Sequence, residues 1–266
     1  MSEKLTPRAE TEQKRLTVFT LELRGLRPEQ QDVADIKHWR IKNEKVCVAV
    51  VADGHGRKGK EAASIARDVI LHGIESATKI DGDWLRGRFL AAHEKISRDA
   101  KASGATVSVT FIHGEKLYVA YVGDSEVRIA KKDGHLETLA IPHKYGLNKA
   151  ETRRLDDSGA SIYQKRIFAP TGTLEPTRTL GDEEFEPHVL HVPQIIEKKL
   201  LPEDKFLITA TDGFWNVATK NSSKRRKVEK ILADAKNIEE AERGIKEFLN
   251  TQKLHDNTTL VVFGLQ

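Results

Sequence analysis

The chain has 266 residues, enough to bury a substantial core and better suited to one domain than to two small ones. Apolar residues make up 38 % and charged residues 32 %, which excludes a disordered or fibrous chain, and a net charge of +4 is too mild to point to nucleic acid. The single cysteine, Cys47, excludes an intrachain disulfide and points to a reducing compartment.

Residues 1–15 form a polar leader without the apolar core of a signal peptide, and no run reaches membrane-spanning length. A protein of the cytoplasm or nucleus with no membrane contact is expected. Leu16–Leu23 alternates as a half-buried strand, and Arg24–Asp32 reads as a turn segment. Val46–Ala52 is an unbroken apolar run, which predicts a strand buried on both faces and stopping at Asp53-Gly54-His55-Gly56.

Helical spacing of Ala62, Ala63, Ile65, Ala66, Val69 and Ile70 predicts a helix over 59–79. A second is predicted over 83–102, with Trp84, Leu85, Phe89, Leu90 and Ile96 inside. Strands follow at 106–113, 116–122 and 127–130, then a helix at 148–158 and a loop-like section over 160–177. A buried strand at 206–210, a helical segment over 223–250 and a last strand at 258–263 complete the pattern. Paired helices between runs of strands argue against a doubly wound parallel sheet. They favour an α+β layering of antiparallel sheets with helices outside.

Three buried strands end at acids, Asp53, Asp124 and Asp212, and Asp256 immediately precedes the last strand. Each alone reads as a turn residue or a cap. Four carboxylates brought to one edge of a core would repel unless a cation sat among them. With no cysteine to spare and few histidines nearby, such a site suits Mg²⁺ or Mn²⁺ and not structural zinc. A pair of these ions makes a hydroxide and clamps an in-line displacement at phosphorus, so the chemistry inferred is phosphate-ester hydrolysis.

The stretches VVADGHG, GATVSVTFI, LYVAYVGDSEVRI, PHK, GTLEPTRTLGD, LITATDGFW and HDNTTLVVF occur in that order. Together they resemble the successive motifs of the metal-dependent protein phosphatases, the type-2C serine/threonine enzymes. The likeness runs from about residue 20 to the end. It implies a central antiparallel β-sandwich flanked by helices on both outer faces, in four layers αββα, over residues 16–266. It also implies a phosphoserine/phosphothreonine phosphatase attacking through a metal-bridging hydroxide. Asp53, the Gly54 carbonyl, Asp212, Asp256 and Asp32 would be metal-site residues, with Asp124 at a further, weaker position. His55 would be the general acid, and Arg27, five residues before Asp32, the phosphate-binding residue. As plainer alternatives, His55 would bond only its turn and Arg27 would be a solvated arginine before Pro28.

The chain departs from the family pattern at Gln31, Glu126, Pro142, Glu175-Pro176 and Asn216. Gln31 stands for Glu, Glu126 for the Arg after GDS, and Asn216 for an Asp. These keep open a second reading, a catalytically silent scaffold of the same fold. Residues 145–177 correspond to the family's variable flap. Lys224–Lys227 reads as a solvated helix face, and Trp84 and Trp215 as core anchors. A monomer acting on phosphoproteins, with no nucleic-acid partner, is expected.

Overall fold

The structure, a computed structural model, describes residues 16–41, 44–77 and 80–265; the polar leader lies outside them. The chain enters as β1 (Thr17–Leu23) and then makes a long hairpin of β2 (Asp32–Ile41) and β3 (Glu44–Gly56). Helices α1 (Gly59–Leu71) and α2 (Gly82–Asp99) lead into β4 (Ser103–His113), β5 (Lys116–Val122), β6 (Glu126–Lys131) and β7 (Leu136–Thr138). Next come α3 (Lys149–Asp157), the short strands β8 (Ile162–Tyr163), β9 (Arg166–Ala169) and β10 (Gly172–Leu174), then β11 (Leu180–Gly181) and β12 (Gln194–Lys199). The chain closes with β13 (Asp204–Ala210), α4 (Asp212–Ala218), α5 (Ser222–Asp234), α6 (Ile238–Asn250) and β14 (Thr258–Gly264).

Two antiparallel sheets form the centre, one ordered β1-β14-β13-β6-β7 and the other β12-β5-β4-β3-β2. Strand β3 shows why they stack. Its Cys47, Ala49 and Val51 point into the layer between the sheets, against Val127, Leu207, Val261 and Phe263. Its Val46, Val48, Val50 and Ala52 point the other way, against α1 and α2. Both faces are covered, so the strand is apolar throughout. The outer face of the first sheet packs on α4, α5 and α6 through Trp215, Val228, Ile245 and Phe248. The result is the expected α+β arrangement of four layers. Cys47 is buried, which pushes its thiol up to about 12 and leaves it inert.

Several elements differ from expectation. Strand β2 occupies a stretch left unassigned by pattern, because it is an edge strand with mixed burial and so has no clean period. The edge strand β12 was missed for the same reason. Helix α1 stops at Leu71, eight residues early, where Gly73 turns left-handed at φ 73°; residues 78–79 lie outside the described ones. On α2, Leu90 is exposed and Trp84 half-buried, while Ala92 and His93 complete the inner face. The loop-like section folds as the small sheet β8-β9-β10 over a cluster of Leu155, Ile167, Leu174, Phe185 and Val189. The single predicted helix over 223–250 is two, separated near Ala235, with Asn237 capping the second by accepting from the Glu240 N–H. Helix α4 was not expected.

Candidate metal centre

The candidate ligands come from two different sheets. Asp32 and Asp53 stand directly opposite each other in the β2–β3 ladder. Asp212 opens α4 just beyond β13, and Asp256 lies two residues before β14, the neighbour of β13. Asp53, Asp124, Asp212 and Asp256 line a cavity of about 440 Å³ at one end of the sandwich, whose rim includes Arg27 and His55, while Asp32 is fully buried opposite Asp53. Gly54 is required here by close approach. A Cβ on it would lie 2.0 Å from the Gly59 carbonyl oxygen, so the strand end and the start of α1 touch backbone to backbone.

Crowding of these carboxylates shows in their protonation. Burial, then repulsion from Asp32, Asp212, Asp124 and Asp256, holds Asp53 well above the usual carboxylate range. Asp212 is pushed up to about 7 by burial and Asp124, against the pull of Lys144. Asp32 rises to about 6, mainly through burial. Its Oδ2 accepts from the Thr211 hydroxyl at 3.0 Å, but its buried Oδ1 has no partner. An orphaned carboxylate oxygen beside mutually repelling acids and the Gly54 carbonyl is a donor set that fits a hard divalent cation.

Arg27 lies at the rim, where its guanidinium donates to Asp256 Oδ2 at 2.7 Å. The loop carrying it is fixed by Asn257. That amide donates to the Arg24 and Glu29 carbonyls and accepts from the Gln31 N–H. Gln31, in turn, reaches the Gly56 carbonyl. His55 lies at the end of β3 and its Nε2 is 2.7 Å from Asp182 Oδ2. Burial pulls the imidazole down, but Asp182 outweighs it and the net shift is upward.

Asp124 is held differently from the other acids. Its Oδ2 accepts from the Lys144 ammonium at 2.8 Å, and the same ammonium reaches Glu175 at 2.9 Å and Asp212 at 3.3 Å. Burial opposes the charge on Lys144, but Asp124 and Asp212 raise its pKa. Lys144 and Asp182 both lie in motifs visible in the sequence, PHK and GTLEPTRTLGD, to which no role could be attached without contacts. The departures are absorbed locally. Glu126 accepts from Arg128, whose guanidinium stacks 4.3 Å from the Trp215 ring centroid, and the Trp215 N–H donates to the Glu126 carbonyl. Asn216 donates to Asp212 at 3.2 Å.

A second group, His93, Glu186 and His191, brings possible ligand atoms within 4.8 Å of one another. The two rings are stacked 4.1 Å apart and tilted by only 21°. An ion in the plane of one ring is therefore out of the plane of the other. His93 Nδ1 also accepts from the Gly181 N–H, which puts the proton on Nε2, the nitrogen facing Glu186. As arranged, this cluster is a hydrogen-bonded brace.

Comparison with known proteins gives a consistent result. The family model described as "Protein phosphatase 2C" matches residues 23–257. "Probable protein phosphatase 2C 11" of Arabidopsis thaliana is 27 % identical over 247 residues, covering 90 % of this chain and 64 % of that protein. "Probable protein phosphatase 2C 55" of Oryza sativa subsp. japonica is 30 % identical over 209 residues, covering 73 % and 52 %. The chain thus spans between about half and two thirds of the length of these relatives. In three dimensions it is similar to a serine-threonine phosphatase 2C from Toxoplasma gondii. The TM-score is 0.75 at 14 % identity, over 94 % of this chain and 95 % of the other. A sex determining protein of C. elegans superposes with a TM-score of 0.73 at 21 % identity, over 95 % and 65 %.

Proposed function

Since the chain belongs to the protein phosphatase 2C family, we propose that it is a Mg²⁺- or Mn²⁺-dependent phosphatase acting on phosphoserine and phosphothreonine in proteins. The observation that carries the reading is the convergence of Asp53, Asp124, Asp212 and Asp256 on one cavity, with Asp32 paired opposite Asp53 in the ladder and Arg27 and His55 at the rim. Asp53, the Gly54 carbonyl, Asp212 and Asp256 would hold two core ions, with Asp32 beside them. When bound, the ions would supply an acidified water and neutralise charge on the phosphoryl oxygens.

The remaining work falls to the chain itself. Arg27 is a guanidinium at the rim paired with a candidate metal-site acid. With Asp256 serving as a ligand, Arg27 would be free to grip two phosphate oxygens in the bidentate way. His55 delivers a proton to the departing seryl or threonyl oxygen. Lys144 neutralises Asp124, so a third cation there would have to compete with an ammonium already in place.

The decisive assay is hydrolysis of p-nitrophenyl phosphate with and without added Mn²⁺, with a chelator as control. Activity should vanish on chelation and return with Mn²⁺ or Mg²⁺ better than with Zn²⁺. Asp53→Ala and Asp212→Ala should each lose bound metal and nearly all turnover while keeping the fold. Undiminished hydrolysis by either variant would sink the metal reading, and no hydrolysis by the wild type with either ion would leave the silent scaffold in its place.

A further inference from the structure

The motif TRTLGD ends in Asp182, which the phosphatase reading leaves without a task. Its surroundings are specific. His55 of β3 stands opposite Gly104 of β4, and Gly104 stands opposite Gly181 of β11. Three strands therefore lie side by side, and the residues flanking the middle one, His55 and Asp182, meet across a glycine. A Cβ on Gly104 would lie 2.1 Å from Asp182 Oδ2 and 2.8 Å from His55 Nε2, so only glycine leaves the pair its room. Asp182 itself adopts φ 56°, a left-handed conformation uncommon outside glycine, asparagine and aspartate. The turn is held from behind by His93 of α2, whose Nδ1 accepts from the Gly181 N–H, while Glu186 and His191 brace His93.

We infer that Asp182 is the positioning residue for His55, a buried carboxylate that fixes the imidazole with its Nε2–H towards β11 and its Nδ1 towards the substrate. The geometry that carries this is a 2.7 Å contact between residues 127 apart in sequence, with the Asp182 side chain only 4 % exposed. The logic is that of any carboxylate–imidazole pair in which the acid selects the tautomer and stabilises the imidazolium without accepting its proton. In the leaving step a water oxygen bonds to phosphorus as the bond to the seryl oxygen breaks. The electron pair stays on that oxygen, and the Nδ1 proton of the imidazolium goes to it. His55 is left neutral, its Nε2–H still donated to Asp182. The inference rests on the phosphatase reading for the identity of the substrate, but the pairing itself does not.

The test uses the full chain and the variants Asp182→Asn, His55→Gln and the double variant. Asparagine tolerates the left-handed backbone and is close to aspartate in shape, so it removes the charge with little other change. Asp182→Asn should slow phosphopeptide hydrolysis on the order of a hundredfold, the scale of a lost general acid. The loss on p-nitrophenyl phosphate, whose leaving group departs without a proton, should be much smaller. Bound Mn²⁺ should be unchanged, and the double variant should be no slower than His55→Gln alone. Equal losses on both substrates with the metal retained, or additive losses in the double variant, would overturn the assignment.

A second readout is independent of activity. Nitrogen-15 histidine spectra of the Mg²⁺-loaded wild type, with the His55 signal assigned by its absence in His55→Gln, should show neutral His55 as the Nε2–H tautomer. Asp182→Asn should lose that preference. A wild-type Nδ1–H tautomer would refute the pairing whatever the turnover. The expected tautomer in a protein with no metal-dependent phosphatase activity would support the pairing and bring down the proposed function alone.

Discussion

Asp32 concentrates the electrostatic problem that the site presents. It is buried, its Oδ1 is unpartnered, and its folded-state pKa stands near 6 against an ordinary 3.8. Asp212, near 7, and Asp53 are shifted the same way. Groups raised on folding contribute stability that is present below about pH 4 and lost as the pH climbs through their folded values. The metal-free protein should therefore become less stable between about pH 4 and pH 7, and Mg²⁺ should reverse the loss. Thermal unfolding across that range with and without chelator reads both effects. Asp32→Asn should raise the metal-free Tm at pH 8 and lower the affinity for Mn²⁺, a pairing of signs that a purely structural role would not give. Arg27 makes a separate kinetic prediction. Arg27→Ala should raise KM and lower kcat/KM with metal content unchanged, and lysine should recover only part, because an ammonium cannot make the bidentate contact. Wild-type kinetics in the alanine variant would return Arg27 to the solvated-arginine reading.

At the scale of elements, α3 and the small sheet β8-β9-β10 are tied to the sandwich by two ionic knots. One is Lys144 with Glu175, Asp124 and Asp212. The other is Glu151, buried at 2 % exposure, which accepts from Arg178, Arg154 and the Thr177 hydroxyl. Burial raises the Glu151 pKa, but these donors outweigh it and bring it down to about 2. A depressed carboxylate contributes stability above its unfolded value near 4.5, and that contribution is lost as the pH falls towards 2. Urea midpoints should fall more steeply between pH 5 and pH 3 in the wild type than in Glu151→Gln, which would start lower. Parallel pH curves would show that the knot contributes nothing net, as some buried ion pairs do. These knots also mark where sequence reading stopped. Long apolar runs ending in acids made β3, β5, β13 and the candidate ligands Asp53, Asp124 and Asp212 legible, with Asp256 just ahead of the run of β14, since burial on both faces leaves a signal in any window. Edge strands β2 and β12 leave none. The tasks of Lys144 and Asp182 depend on partners tens of residues away, which no local pattern encodes.

For the whole molecule, the protein phosphatase 2C layering would link metal binding to folding. Asp53 and Asp32 belong to one sheet, while Asp212 opens the helix after β13 and Asp256 precedes β14, both strands of the other sheet. Ions held between them would bind the folded sandwich and not the open chain. At a hundredfold excess over Kd such binding adds about 2.7 kcal/mol, which in a domain of this size is roughly 5–10 °C in Tm. Mn²⁺ should produce a shift of that order in the wild type and none in Asp53→Ala. Among the described residues no helix is long and apolar enough to cross a membrane.

The placement of those acids at one end of the β2–β3 ladder has a consequence for how the sandwich breathes. Asp32 and Asp53 close one end of the hairpin, while Ile41 and Glu44 meet at the other, far from any candidate ligand. A cation bound there would act as a clasp on one edge of a two-leaved book, leaving the leaves to part from the opposite edge. Amide exchange along β3 should therefore run as a gradient, slowest near Ala52 and fastest near Val46. Chelation should flatten that gradient by releasing the protected end first.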